Sequence, residues 1–173
     1  MMRAKTMVSA AVAVAIAVAT QAGAKDVGSG SFIDAQGKAV GTVTVMPMAS
    51  ATVFQLDLTG LPPGPHAIHV HAVGTCAPPG FESAGPHFNP HAKQHGLNNP
   101  QGHHAGDLPN ITVREDGTLQ TQIVIGPLPA RGDGGLADGD GAAVVIHASV
   151  DDYVTDPAGN AGARIACAVL NFK

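Results

Sequence analysis

The sequence predicts an all-β fold, an antiparallel sandwich or barrel, and three observations carry that expectation. Short runs of alternating or β-branched residues recur along the chain, helix-period patterning is almost absent, and 22 glycines and 13 prolines supply turns and loops.

Taken in order, the first 24 residues have the three-part layout of a secretory signal. Arg3 and Lys5 open it, Met7 to Ala19 is mostly apolar, and Ala22-Gly23-Ala24 is a small-x-small cleavage site. The apolar run is short for a membrane span and no other stretch approaches one, so a soluble exported chain beginning at Lys25 is expected. Residues 25–173 are 149 in number, the size of one domain with one core. Cleavage removes two basic residues, leaving seven against thirteen acidic ones and a formal charge of −6 with histidines neutral. Nucleic acid is not an expected partner of so acidic a chain.

Six runs read as strands: Gly41 to Met46, Ala51 to Leu58, His66 to Val73, Leu119 to Ile125, Ala142 to His147 and Arg164 to Leu170. Turns such as Glu115-Asp116-Gly117 separate some of them. Two regions refuse the pattern, Gly74 to Leu108 and Asp151 to Ala163. A structureless stretch of about 35 residues in a compact domain signals function or disorder. Here its polar content is histidine rather than Ser, Glu or Lys, which argues against a disordered linker. Asp138-Gly-Asp-Gly141 lacks the glycine and glutamate of a calcium loop and reads as a turn before the His147 strand. Cys76 and Cys167 lie in the exported part, where oxidising conditions favour a bond between them over two free thiols.

Eight of the nine histidines fall between His66 and His104, and the ninth, His147, sits in an apolar strand. Residues two apart on a strand share a face, so His69 and His71 can present two imidazoles to one ion, with His147 a third from another strand. His87, His95, His104 and Asp107 in the long loop form a second set, three imidazoles and a carboxylate, suited to a closed tetrahedral zinc site. No zinc-protease helix and no esterase elbow is present.

These residues resemble a known family, the copper/zinc superoxide dismutases, over most of the mature chain. The matching segments are His69-Val-His71, Ser83-Ala-Gly-Pro-His-Phe-Asn-Pro90, Lys93-Gln-His-Gly96, His104-Ala-Gly-Asp-Leu108, Val145-Ile-His147, Asp151-Asp152 and Gly159-Asn-Ala-Gly-Ala-Arg-Ile-Ala-Cys167. The resemblance implies a Greek-key barrel or sandwich of about eight antiparallel strands with two long functional loops. It implies copper on His69, His71, His87 and His147, and zinc on His87, His95, His104 and Asp107, with His87 shared. His104 is preferred to His103 because it alone has the family's His-x-x-Asp spacing to Asp107. Asp151 matches an aspartate that links one copper and one zinc histidine, Arg164 the arginine beside the open copper position, and Cys76 with Cys167 the family's disulfide.

The implied activity is dismutation of superoxide to dioxygen and hydrogen peroxide by redox-cycling copper, with His87 taking and returning a proton and Arg164 orienting the small anion. A noncatalytic metal-binding module of the same fold is the runner-up, and it would need neither a shared His87 nor Arg164. Cys76 five residues after His71 and the short segment between Asp152 and Gly159 look like bacterial exported members. A periplasmic location is expected first and an extracellular one second. His66, His91 and His103 are surplus to the ligand sets and are expected at the surface. Dimer surfaces differ between branches of the family, so a homodimer stays open.

Overall fold

Ten antiparallel strands run through residues 27–132 and 134–173, the part that the computed structural model describes. They are β1 (Gly28–Asp34), β2 (Ala39–Pro47), β3 (Thr52–Leu58), β4 (Gly64–His66), β5 (Ile68–His71), β6 (Ile111–Val113), β7 (Leu119–Ile125), β8 (Ala143–His147), β9 (Arg164–Val169) and β10 (Asn171–Phe172). Among the described residues one 3-10 turn is present, at Glu82–Ala84. The expected signal, residues 1–24, lies outside the described residues, among which no helix is long and apolar enough to cross a membrane.

An eight-stranded sheet follows the order β5-β8-β9-β1-β2-β3-β7, with β10 added to β1, while β4 and β6 form a two-stranded ribbon. The chain twice crosses from one side of the main sheet to the other, from β3 to β5 and from β7 to β8, which are the long returns of a Greek-key layout. Alternation sets the register: on β3, Phe54, Leu56 and Leu58 are buried while Gln55 and Asp57 face water. Phe32, Val43, Val45, Ile68, Val70, Val144, Ile146 and Ala168 complete the same core from neighbouring strands. A second, smaller cluster of Phe81, Ala84, Ala143, Val145 and Cys167 lies under the long loop. Cys76 and Cys167 are disulfide-bonded there, tying that loop to β9.

All six runs read from the sequence form strands. The run from His66 to Val73 divides at Ala67, so that His66 pairs in the ribbon and Ile68 onward pairs with β8. β1 had no strand pattern because Gly28 and Gly30 interrupt it. At Gly30 a side chain would overlap the carbonyl oxygen of Val169, so close approach to a neighbouring backbone outweighs strand propensity. Besides the two expected loops there is a third long connection, 126–142, in which Asp138 accepts the Gly141 N–H to form the expected turn.

Candidate metal centre

Strands β5 and β8 are buried on both faces, and that decides where the histidines go. Ile68 and Val70 on β5, with Val144 and Ile146 on β8, enter the main core. The opposite face then carries His69 and His71, register-paired with Val145 and Ala143, and His147 one step beyond Val145. β5 is the edge of the main sheet, and the long loop covers that edge instead of another strand. Val70 donates to the Gly106 carbonyl and accepts from Phe88 N–H, at 2.9 and 2.8 Å. This pairing sets His87 opposite His71 and Asp107 opposite His69. A side chain at Gly106 would overlap the Val70 carbonyl, so glycine is what allows the loop to lie so close.

Each strand histidine has one ring nitrogen committed and one free. His71 Nδ1 meets the Gly85 carbonyl at 2.8 Å, His147 Nδ1 the Gly162 carbonyl at 3.3 Å, and His69 Nε2 the Asp151 carboxylate at 2.8 Å. Carbonyls and carboxylates only accept, so those nitrogens carry the protons and the other nitrogen of each ring keeps a lone pair. The four nitrogens left over are His69 Nδ1, His71 Nε2, His87 Nε2 and His147 Nε2, all buried and without a partner. They lie within 4.8 Å of one another. Four buried lone pairs aimed at one point repel and are desolvated unless a cation sits among them. A set of four imidazoles with no thiolate or thioether suits copper.

The second constellation meets at Asp107. Its Oδ1 lies 2.9 Å from His87 Nδ1, 3.0 Å from His95 Nδ1 and 3.2 Å from His104 Nδ1, and the His87 and His104 nitrogens are 3.4 Å apart. Three donors are more than one carboxylate oxygen needs. A tetrahedral ion with bonds near 2.0–2.1 Å would hold its ligand atoms about 3.3 Å apart, close to these separations. The other oxygen, Oδ2, accepts the N–H groups of Gly96 and His104 at 2.9 and 3.0 Å, which fixes the carboxylate. His87 belongs to both sets, one ring nitrogen in each.

Asp151 joins the two clusters, with Oδ2 on His69 Nε2 and Oδ1 on His95 Nε2 at 2.8 and 3.0 Å. Two residues that hold it in place were not legible beforehand. Asn110 grips its backbone from both sides, accepting the Asp151 N–H and donating to the Asp151 carbonyl at 2.9 Å each. Gly159, with a φ of 61°, packs so tightly that a side chain would overlap Asp151 Oδ1. An asparagine at a loop end carries no sequence signal for such a role, and Gly159 stood out only as one letter of a motif.

Arg164 lines a cleft of about 770 Å³ together with His71, His87 and His147. Its guanidinium donates to the Phe81 and Gly85 carbonyls at 2.6 and 2.8 Å, so its position is fixed by the same loop the disulfide tethers. Of the three surplus histidines, His91 and His103 are exposed as expected. His66 is a correction: it is buried at 4% exposure, between the Pro62 and His147 carbonyls, because β4 turns it inward at the joint of ribbon and sheet.

Burial, helped by neighbouring imidazoles, lowers the pKa of His71 to about 2 and of His147 to about 3. Burial also lowers His87 to about 4 against the opposing pull of Asp107. All three are neutral at physiological pH, the state a metal ligand requires. For His95 burial again pulls down, but the Asp107 and Asp151 carboxylates more than offset it and raise the value to about 9. Asp107 and Asp151 are themselves buried, which works against their charge, yet hydrogen bonds from the histidines hold both below the usual carboxylate range.

Comparison with known proteins points the same way. A family model described as "Copper/zinc superoxide dismutase (SODC)" matches residues 39–170. "Superoxide dismutase [Cu-Zn] 2" of Aquifex aeolicus is 43% identical over 143 residues, covering 80% of this chain and 83% of the relative. "Superoxide dismutase [Cu-Zn]" of Caulobacter vibrioides is 44% identical over 138 residues, 78% of this chain and 79% of the relative. Among solved structures, a SOD-like protein from Bacillus subtilis superposes with a TM-score of 0.77 at 39% identity, covering 83% of this chain and 97% of that one.

Proposed function

Because this chain belongs to the copper/zinc superoxide dismutase family, enzymes that dismutate superoxide with copper and zinc, we propose that its copper ligands are His69, His71, His87 and His147 and its zinc ligands His87, His95, His104 and Asp107. The observation that carries the reading is the convergence of four unpartnered, buried imidazole nitrogens beside a carboxylate-centred quartet that shares His87. A carrier of either metal would have no use for that sharing.

When bound, copper supplies the one-electron oxidation and reduction of superoxide, and zinc supplies fixed charge without redox change. The chain supplies the rest. Arg164 is anchored by two carbonyls at the cleft wall, where its charge draws in and orients a small anion against the net negative charge of the chain. His87 Nε2 faces the cleft-side cluster while Nδ1 stays in the Asp107 quartet. Because its Nδ1 serves the second ligand set instead of donating to a carbonyl, it is the imidazole of this cluster suited to hold a proton at Nε2 without becoming a cation, and to hand it to a departing peroxide. Asp151 keeps the protons on the outer nitrogens of His69 and His95.

The reading is tested by measuring superoxide consumption by the purified chain reconstituted with both metals, where a rate no higher than that of the free ions would sink it. In Arg164→Ala we expect both metals to stay bound and kcat/KM to fall by about 10- to 100-fold, in the range set by loss of electrostatic guidance. A rate equal to wild type would refute the role of the guanidinium.

Zinc should bind in competition with a proton on His95. Since Asp107 and Asp151 hold that proton up to about pH 9 in the metal-free site, each unit rise from pH 7 to 8.5 should strengthen zinc binding about tenfold. A chelator-competition series over that range checks it; an affinity that does not change with pH would count against the assignment of His95.

Export also belongs to this reading. Residues 1–24 would direct secretion, residues 25–173 would be the mature domain, and the Cys76–Cys167 disulfide suits an oxidising compartment. The periplasm, ahead of the extracellular space, is where the enzyme would remove superoxide as an antioxidant defence.

A further inference from the structure

We propose that Tyr153 is a positioning residue for both metal clusters, a latch that locks the loop carrying Asp151 onto the loop carrying the zinc ligands. The proposal rests on the ligand assignment above and concerns what holds that assembly in register.

The two loops, 72–110 and 148–163, share no strand ladder, yet Asp151 on the second must bond His69 and His95 at once. Tyr153 makes three hydrogen bonds here, one to Asp151 within its own loop and two across the junction. Its N–H donates to Asp151 Oδ1 at 2.6 Å, its carbonyl accepts the Asn98 N–H at 2.9 Å, and its phenol oxygen accepts the Asn110 N–H at 2.7 Å. Asn110 is the residue whose side chain grips the backbone of Asp151 from both sides. A closed circuit results, from the Tyr153 phenol to Asn110, from Asn110 to Asp151, and from the Asp151 carboxylate to one histidine of each cluster.

Two further features show that this junction is built. Tyr153 has a φ of 64°, a left-handed conformation that a residue with a large side chain adopts only where its surroundings fix it. Opposite it stands Gly96, next to the ligand His95, where a side chain would overlap the Tyr153 carbonyl. The bond from His95 N–H to Asp156, also 2.6 Å, remains as an independent tie between the loops. Loss of the phenol should therefore loosen the junction without releasing it.

Tyr153→Phe removes only the phenol oxygen and leaves the Asn110 N–H without its acceptor. We expect zinc to pass to a chelator at least about tenfold faster than from wild type, as when other outer partners of metal ligands are removed. The visible and EPR spectra of the copper-loaded protein should also shift as His69 loses its fixed orientation, a change that a loss of stability alone would not produce. Because the chain has one tyrosine and no tryptophan, 3-fluorotyrosine labels this position alone. Its 19F resonance in the otherwise unaltered protein should move on zinc loading, which decides the matter even if the phenylalanine variant does not fold. Zinc release at the wild-type rate with an unchanged copper spectrum, or a fluorine resonance indifferent to zinc, would overturn the latch. If wild type itself fails to hold zinc, the ligand assignment falls first and the latch with it.

Discussion

His147→Ala should lose copper and more than about 100-fold of superoxide turnover while keeping its zinc, a larger effect than removal of an outer partner produces. The asymmetry follows from position. His147 offers Nε2 to the cluster with His69, His71 and His87, the proposed copper site, and has no atom in the Asp107 quartet. Its other nitrogen touches only the Gly162 carbonyl, and the core side of β8 rests on Val144 and Ile146, which the change leaves alone. The fold should therefore survive, and the missing lone pair should be felt almost entirely as a copper site reduced to three ligands. Metal analysis and stopped-flow consumption of superoxide on one preparation check this. Full copper occupancy with a wild-type rate would overturn the assignment, and loss of both metals would show that the two clusters do not separate as the geometry predicts.

Gly159→Ala should do the converse, damaging the zinc side from outside the ligand set. The added methyl group would overlap Asp151 Oδ1 and come within 2.7 Å of His95 Nε2, so the hydrogen bond between them cannot persist. The position also has a φ of 61°, and a left-handed residue bearing a Cβ costs about 1–2 kcal/mol. We expect zinc affinity to fall about 10- to 100-fold, the usual consequence of losing the partner that orients a ligating histidine. The metal-free protein should be destabilised by more than that backbone cost, because the buried hydrogen bond from His95 to Asp151 is lost as well. Gly139→Ala is the control, since nothing lies near the Cβ it would add and its φ is not positive. Chelator competition and denaturant unfolding of both variants measure the two terms, and a zinc affinity in Gly159→Ala equal to that of the control would refute the close-contact argument.

Much of this was legible in the order of residues because the chemistry is local there. His69 and His71 are two apart on a strand, so period-2 geometry alone puts both rings on one face. The preference for His104 over the adjacent His103 rests on the spacing to Asp107 found in the family it resembles; in the structure His104 is buried at Asp107 and His103 is exposed. What could not be read depends on approach between distant segments. β1 is concealed by Gly28 and Gly30, which admit the Phe172 ring and the Val169 backbone, and His66 is buried only because the ribbon of β4 and β6 folds against β8. Asn110 is an ordinary loop asparagine until Asp151, 41 residues later, is brought against it.

The sequence by itself determined the class of fold, through its strand runs and turns, and the inventory of donors: nine histidines, Asp107, Asp151, Arg164 and two cysteines. Tertiary structure alone decided which nitrogen of each ring is free. That choice is made by whichever acceptor the other nitrogen meets, the Gly85 and Gly162 carbonyls or the Asp151 carboxylate, and these arrive from loops 14, 15 and 82 residues away. A residue's identity travels with the chain, whereas the direction of its lone pair is set by what folding places behind it.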